Sequence, residues 1–159
     1  MVLAAVFMGV VATAFLDLYA VLLKRALSVP APNYCLVGRW VAGLPAGALV
    51  LQGAAKSTPA PRECILGWTV HYVLGVGFAL VFLGVAGPGW IARPTLWPAL
   101  LFGLATVAAP FLILHPALGS GVASSKAPKP NTARARSLAA HAVFGLGLYL
   151  AGVAFAIVR

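Results

Sequence analysis

Four long apolar stretches, about Val2–Leu23, Cys64–Ala86, Leu96–Leu114 and Leu138–Val158, alternate with loops whose basic residues fall almost entirely on one side. A helix needs roughly 20 apolar residues to cross a hydrocarbon core of about 30 Å, and each stretch is close to that length. The composition agrees. Of the residues, 62% are apolar and 8% are charged, with a mean hydropathy of +1.02, far from the balance of a water-soluble domain. The expected fold is all-α and integral to a membrane, a four-transmembrane-helix bundle formed by a single domain over 1–159.

The distribution of lysine and arginine orients the bundle. Lys24, Arg25, Arg39, Lys56 and Arg62 lie between the first and second stretches, and Lys126, Lys129, Arg134 and Arg136 between the third and fourth. Only Arg93 and Arg159 lie elsewhere. Basic loops are retained in the cytoplasm, so loops one and three are expected there, with the N-terminus and C-terminus both outside. The expected location is the inner membrane of a bacterium, as a multi-pass protein. A net charge of +9 would also suit nucleic acid, but these charges flank apolar spans and are not interleaved with exposed aromatics. The expected partners are the lipid bilayer and other membrane subunits, not nucleic acid.

The first stretch has no basic segment before it and is followed at once by Lys24 and Arg25, which favours a retained helix over a cleaved signal. Residues 41–55 are apolar but few, with Pro45 and three glycines, and are expected at the interface instead of across the bilayer. Gly87, Pro88 and Gly89 read as an outer turn, and His115 to Ser137, with three prolines, as irregular and water-facing. Cys35 and Cys64 fall in or beside a loop assigned to the reducing cytoplasm, far apart in sequence. No structural disulfide and no CxxC motif is expected of them.

Ionisable residues within the spans carry the functional signal, because they are expensive in lipid and face other helices or a cavity. Asp17 shares a helix face with Gly9 and Thr13, His71 with Gly67, Gly75 and Ala79, and His141 with Ser137, Gly145 and Tyr149. Small residues at that spacing let helices approach closely. Alternating span direction places Asp17, His71, His115 and His141, with Glu63 and Arg39, in the cytoplasmic half, where they are expected to form a polar pocket. Asp17 in particular is expected to pair with a histidine, Tyr19, Lys24 or Arg39.

Two or more of these residues could serve several chemistries. A metal would use His71 and His141 if any, but no pair sits at the i, i+3 or i, i+4 spacing of a helical metal site. A bis-histidine haem would need matched depths. A proton or small-cation route needs only titratable groups open to one side. Ser124, Ser125 and Lys126 close a glycine-rich segment suited to an anion or lipid headgroup, though it lacks the nucleotide-binding pattern. Nothing identifies a cofactor, and no catalytic set appears, so an enzyme is not expected. The reading is a pocket that binds or passes a proton, metal ion or small solute; the alternative is a non-catalytic accessory subunit of a larger complex.

Gly38-Arg39-Trp40, Glu63, Gly67-Trp68, His71-Tyr72, Pro110-Phe111, His115 to Gly119, Ala123 to Lys126 with Pro128, and His141 with Phe144 to Tyr149 occur together along nearly the whole chain. In this combination the sequence resembles the bacterial domain-of-unknown-function family 2938, small inner-membrane proteins. The resemblance implies the four-helix topology and draws attention to His71, His115 and His141. It implies no activity.

Overall fold

The helices begin and end where capping chemistry, and not only hydropathy, dictates. In a computed structural model, which describes residues 1–51, 58–87 and 89–158, α1 runs Val2–Leu27. It continues one turn past the apolar stretch, because Lys24 and Arg25 suit the negative end of a helix dipole. Ser28 then closes it in the left-handed region, its N–H donating to the Leu23 carbonyl. A short helix, α2 (Tyr34–Gly43), starts at Asn33, whose side chain accepts from the Cys35 amide.

The second long helix, α3 (Pro61–Ala86), has proline at its first position and the Glu63 carboxylate two residues on. Glu63 accepts from the Ala60 N–H at 2.7 Å while its own N–H donates to the Ala60 carbonyl. This is a capping-box arrangement built on alanine. A one-turn helix, α4 (Gly89–Ala92), precedes α5 (Leu96–Ala105). The third span continues through a π-helical turn over Pro110–Leu114 and a last short piece, α6 (His115–Ala117). The fourth long helix, α7, covers Pro130–Val158.

Among the described residues four helices are therefore long and apolar enough to cross a membrane: Val2–Leu27, Pro61–Ala86, Leu96–Ala117 and Pro130–Val158. Only 17–33% of each apolar window is buried inside the protein. Leu3, Val6, Val10, Val73, Val81, Val85 and Leu101 face outward, a surface that lipid tolerates and water penalises. The sequence reading needs correction at α7. The segment before Ser137 is not wholly irregular: Pro130 provides a first helical position, and Asn131 to Arg136 extend the helix as a polar turn and a half beyond the apolar stretch. Residues 41–55 do not form a span among the described residues. Their start is the end of α2, followed by a 3-10 turn at Leu44–Ala46 and an irregular piece to Leu51; 52–55 lie outside the described residues, as does Pro88.

The chain divides into two compact units. The first comprises Met1–Ala31, Tyr72–Thr106 and Leu138–Arg159; the second comprises Pro32–His71 and Val107–Ser137. The first holds the apolar core: Ala4, Ala5, Met8 and Ala12 of α1, Ala79, Phe82 and Leu83 of α3, Trp90 and Ile91 of α4, Ala99 of α5, and Phe144, Leu148 and Ala151 of α7. Alanine is common in this core because the helices pack backbone to backbone. A Cβ on Gly9 would run into the backbone of Gly75 and Val76; one on Gly103 would strike Gly145. Gly145 itself abuts the Ala99 and Leu100 backbone, and Gly147 abuts Ala12. These are the stripes of small residues that the sequence displays, and they serve as helix-crossing points.

A leucine at Gly145 should lower the midpoint of thermal unfolding in detergent, since it forces two helices apart; overpacking typically costs about 1–3 kcal/mol and more against backbone. The same substitution at Gly77 or Gly84, where an added Cβ meets nothing within 4 Å, should leave the midpoint almost unchanged. Equal losses at all three positions would contradict this packing.

Candidate functional site

In the second unit α2 crosses the start of α3 at the closest possible range. A Cβ on Gly38 would collide with the Glu63 carbonyl, and one on Gly67 with the Tyr34 carbonyl. Each glycine follows a cysteine by three residues, and one turn before this contact Cys35 and Cys64 form a disulfide with sulfurs 2.07 Å apart. The expectation of no disulfide is thus corrected. Separation along the chain misled: the return of the chain after α2 brings the first turns of two helices together, and the glycines remove the bulk that would hold them apart.

The crossing also carries charge. Arg39 Nε donates to Oε1 and Oε2 of Glu63 at 3.1 and 3.2 Å, and its terminal nitrogen to Oε2 at 3.0 Å and to the Thr58 carbonyl at 3.1 Å. The side chains are 17% and 18% exposed, and the fork fits a carboxylate in two-point contact. The bond to Glu63 raises the Arg39 pKa above its already high ordinary value, so the guanidinium stays charged. A depression of about 370 Å³ lies beside it, lined by Ala42, Arg62, Glu63 and Leu66.

His71 lies two turns beyond Cys64 on α3. The Tyr34 ring stacks on its imidazole at a centroid distance of 3.9 Å and an interplanar angle of 22°, and Trp68 packs edgewise at 5.8 Å. Tyr34 and Trp68 are themselves 4.8 Å apart. The same unit holds His115, whose Nδ1 is 2.9 Å from the Ser124 hydroxyl. Ser124 is buried in a tight loop in which it and Ala123 adopt positive φ, and Arg134 donates to the Ala123 carbonyl at 2.9 Å. The amides of Ser124, Ser125 and Lys126 donate to the carbonyls of Gly121, Val122 and Ser120. They are committed to the loop, which leaves the Ser125 hydroxyl and the Lys126 ammonium as the groups suited to an anion.

The first unit contains Asp17 and His141. Asp17 Oδ2 accepts from the Tyr72 phenol at 3.0 Å. Tyr72 is not among the partners expected for Asp17, although it follows His71 directly and lies near Gly75, which meets Thr13 on the Asp17 stripe. A phenol donates to a carboxylate without introducing a second full charge. His141 Nδ1 is 2.8 Å from the Thr106 hydroxyl, which donates its own hydrogen to the Gly103 carbonyl at 2.5 Å. With that hydrogen committed, the Thr106 oxygen is left to accept from His141.

Of the expected site residues, Arg39 and Glu63 meet directly, and His71 and His115 lie in the same unit with them. Asp17 and His141 belong to the other unit. Among the described residues no group of three or more His, Cys, Asp and Glu is placed to hold a metal ion. Glu63→Ala should lower the unfolding midpoint in detergent more than Arg39→Ala, because it removes the α3 cap as well as the ion pair; the reverse order would show that the carboxylate does not cap the helix.

No curated protein and no solved structure matches this sequence. The family described as Protein of unknown function (DUF2938) matches residues 6–155, nearly the whole chain and all the segments on which the sequence resemblance rests. The chain belongs to the DUF2938 family.

Proposed function

We propose that this protein is a non-enzymatic, multi-pass protein of the bacterial inner membrane, with both termini outside and loops one and three in the cytoplasm, whose intramembrane polar residues bind or pass a proton or small cation. The observation that carries this reading is the Asp17–Tyr72 hydrogen bond, made between two long apolar helices. An acid is expensive at such a position and is retained where it takes part in charge movement or binding. The supporting groups are the Thr106–His141 pair, the stacked His71 and the His115–Ser124 pair, imidazoles held within or at the ends of the long apolar helices.

The accessory-subunit reading draws on the same contacts. Each polar group has a partner within its own unit, as a purely structural hydrogen bond between helices would also have. Flux separates the two. In liposomes containing a pH-sensitive dye, the protein should dissipate an imposed proton or sodium gradient, and Asp17→Asn and His71→Gln should each abolish this without loss of folded protein. Equal, background-level leakage from wild type and variants would favour the accessory role. Orientation is tested separately: a reporter joined after Arg159 should be active outside the cytoplasm and silent within it.

A further inference from the structure

A disulfide and a positively charged loop point to opposite sides of a bacterial membrane. Disulfides persist in oxidising compartments, and in a reducing cytoplasm those that form are usually transient, catalytic or sensing. Nine of the eleven lysines and arginines lie in loops one and three, which assigns the Cys35–Cys64 face to the cytoplasm. Both observations hold together if the pair is reversible. We propose that Cys35 and Cys64 form a thiol–disulfide switch whose oxidation locks α2 onto α3 and holds the Tyr34 ring over the His71 imidazole. The inference rests on the cytoplasmic placement of loop one and on His71 as a functional group.

The geometry suits both states. Cys35 lies in the first turn of α2, where the positive end of the helix favours an anionic sulfur, and both cysteines are only partly buried. With a small-molecule disulfide such as oxidised glutathione as oxidant, the Cys35 thiolate attacks one sulfur and releases one glutathione thiolate. The Cys64 thiolate then attacks Cys35 Sγ and releases the second. Two protein thiols become one disulfide, one glutathione disulfide becomes two thiols, and the two protons pass to the released glutathione. The Tyr34 carbonyl rests against Gly67, and Tyr34 directly precedes Cys35, so the bond fixes the residue that covers His71. In the reduced state only non-covalent contacts, among them the Arg39–Glu63 pair, the glycine contacts and the Tyr34 ring stack, retain α2.

The switch is tested in intact cells expressing the full chain, quenched in acid and treated with maleimide–polyethylene glycol under denaturing conditions. Unstressed cells should give two adducts, cells treated with diamide none, and subsequent dithiothreitol should restore both. No adducts in unstressed cells would make the bond permanent and overturn the switch, as would two adducts that persist through diamide. Diethyl pyrocarbonate labelling of His71 in membranes then reads the consequence: it should slow several-fold on oxidation, and Tyr34→Ala should remove that difference while leaving thiol trapping unchanged. Reversible trapping with no effect on His71 labelling would overturn the lock over His71 alone. A membrane-impermeant maleimide applied to reduced cells should fail to reach Cys35; labelling from outside would instead refute the orientation on which the proposal stands.

Discussion

Backbone contact between helices is the constraint on which this protein rests. Lipid chains are as apolar as leucine, so helices in a membrane gain little from hiding leucine against leucine and associate through close van der Waals fit and hydrogen bonds. Glycine permits that fit. At Gly9 against Gly75 and Val76, at Gly103 against Gly145, and at Gly38 against the start of α3, a single methyl group would have no room. Many bulky apolar side chains are then left at the periphery, where Leu3, Val85 and Leu101 are largely exposed. The core therefore mixes alanines and glycines at the crossings with a few large side chains such as Met8, Phe82 and Leu148, while many other large apolar residues face outward.

The same close approach governs the polar groups. Thr13, Asp17 and Gly9 lie on one face of α1, so the contact that brings Gly9 to Gly75 also presents Asp17 to Tyr72. Likewise, the crossing at Gly103 and Gly145 brings Thr106 alongside His141 one turn away. The crossing at Gly38 and Gly67 is flanked by the disulfide, the Arg39–Glu63 pair and the Tyr34–His71 stack. In each case small residues set the distance at which a hydrogen bond, ion pair or covalent bond becomes possible.

Much of this was legible in the sequence because long apolar runs and small-residue spacing follow a simple code. Length and hydropathy located the four helices that are long and apolar enough to cross a membrane, and the glycine spacing identified the packed faces, including Gly9, Gly75 and Gly145. Helix ends were less legible, since the start of α7 at Pro130 and the end of α1 at Leu27 depend on capping and on polar residues that hydropathy discounts. Partners were the least legible. Tyr72 and Thr106 are ordinary residues until a neighbouring helix supplies Asp17 or His141, and the Cys35–Cys64 bond depends on how the chain returns between two helices. Periodicity describes one helix at a time, whereas these contacts are properties of pairs.

The π-helical turn at Pro110–Leu114 has a consequence for what lies beyond it. The His115 N–H reaches back to the Pro110 carbonyl, five residues away instead of four, so one additional residue is accommodated in that turn. Each residue of an α-helix advances the azimuth by about 100°, and the wider turn therefore resets the angular phase of everything after it. The slip falls directly before His115, whose Nδ1 meets the Ser124 hydroxyl. A proline that in most helices acts as a kink here works as a rotational vernier, fixing the heading of an imidazole more than a turn downstream.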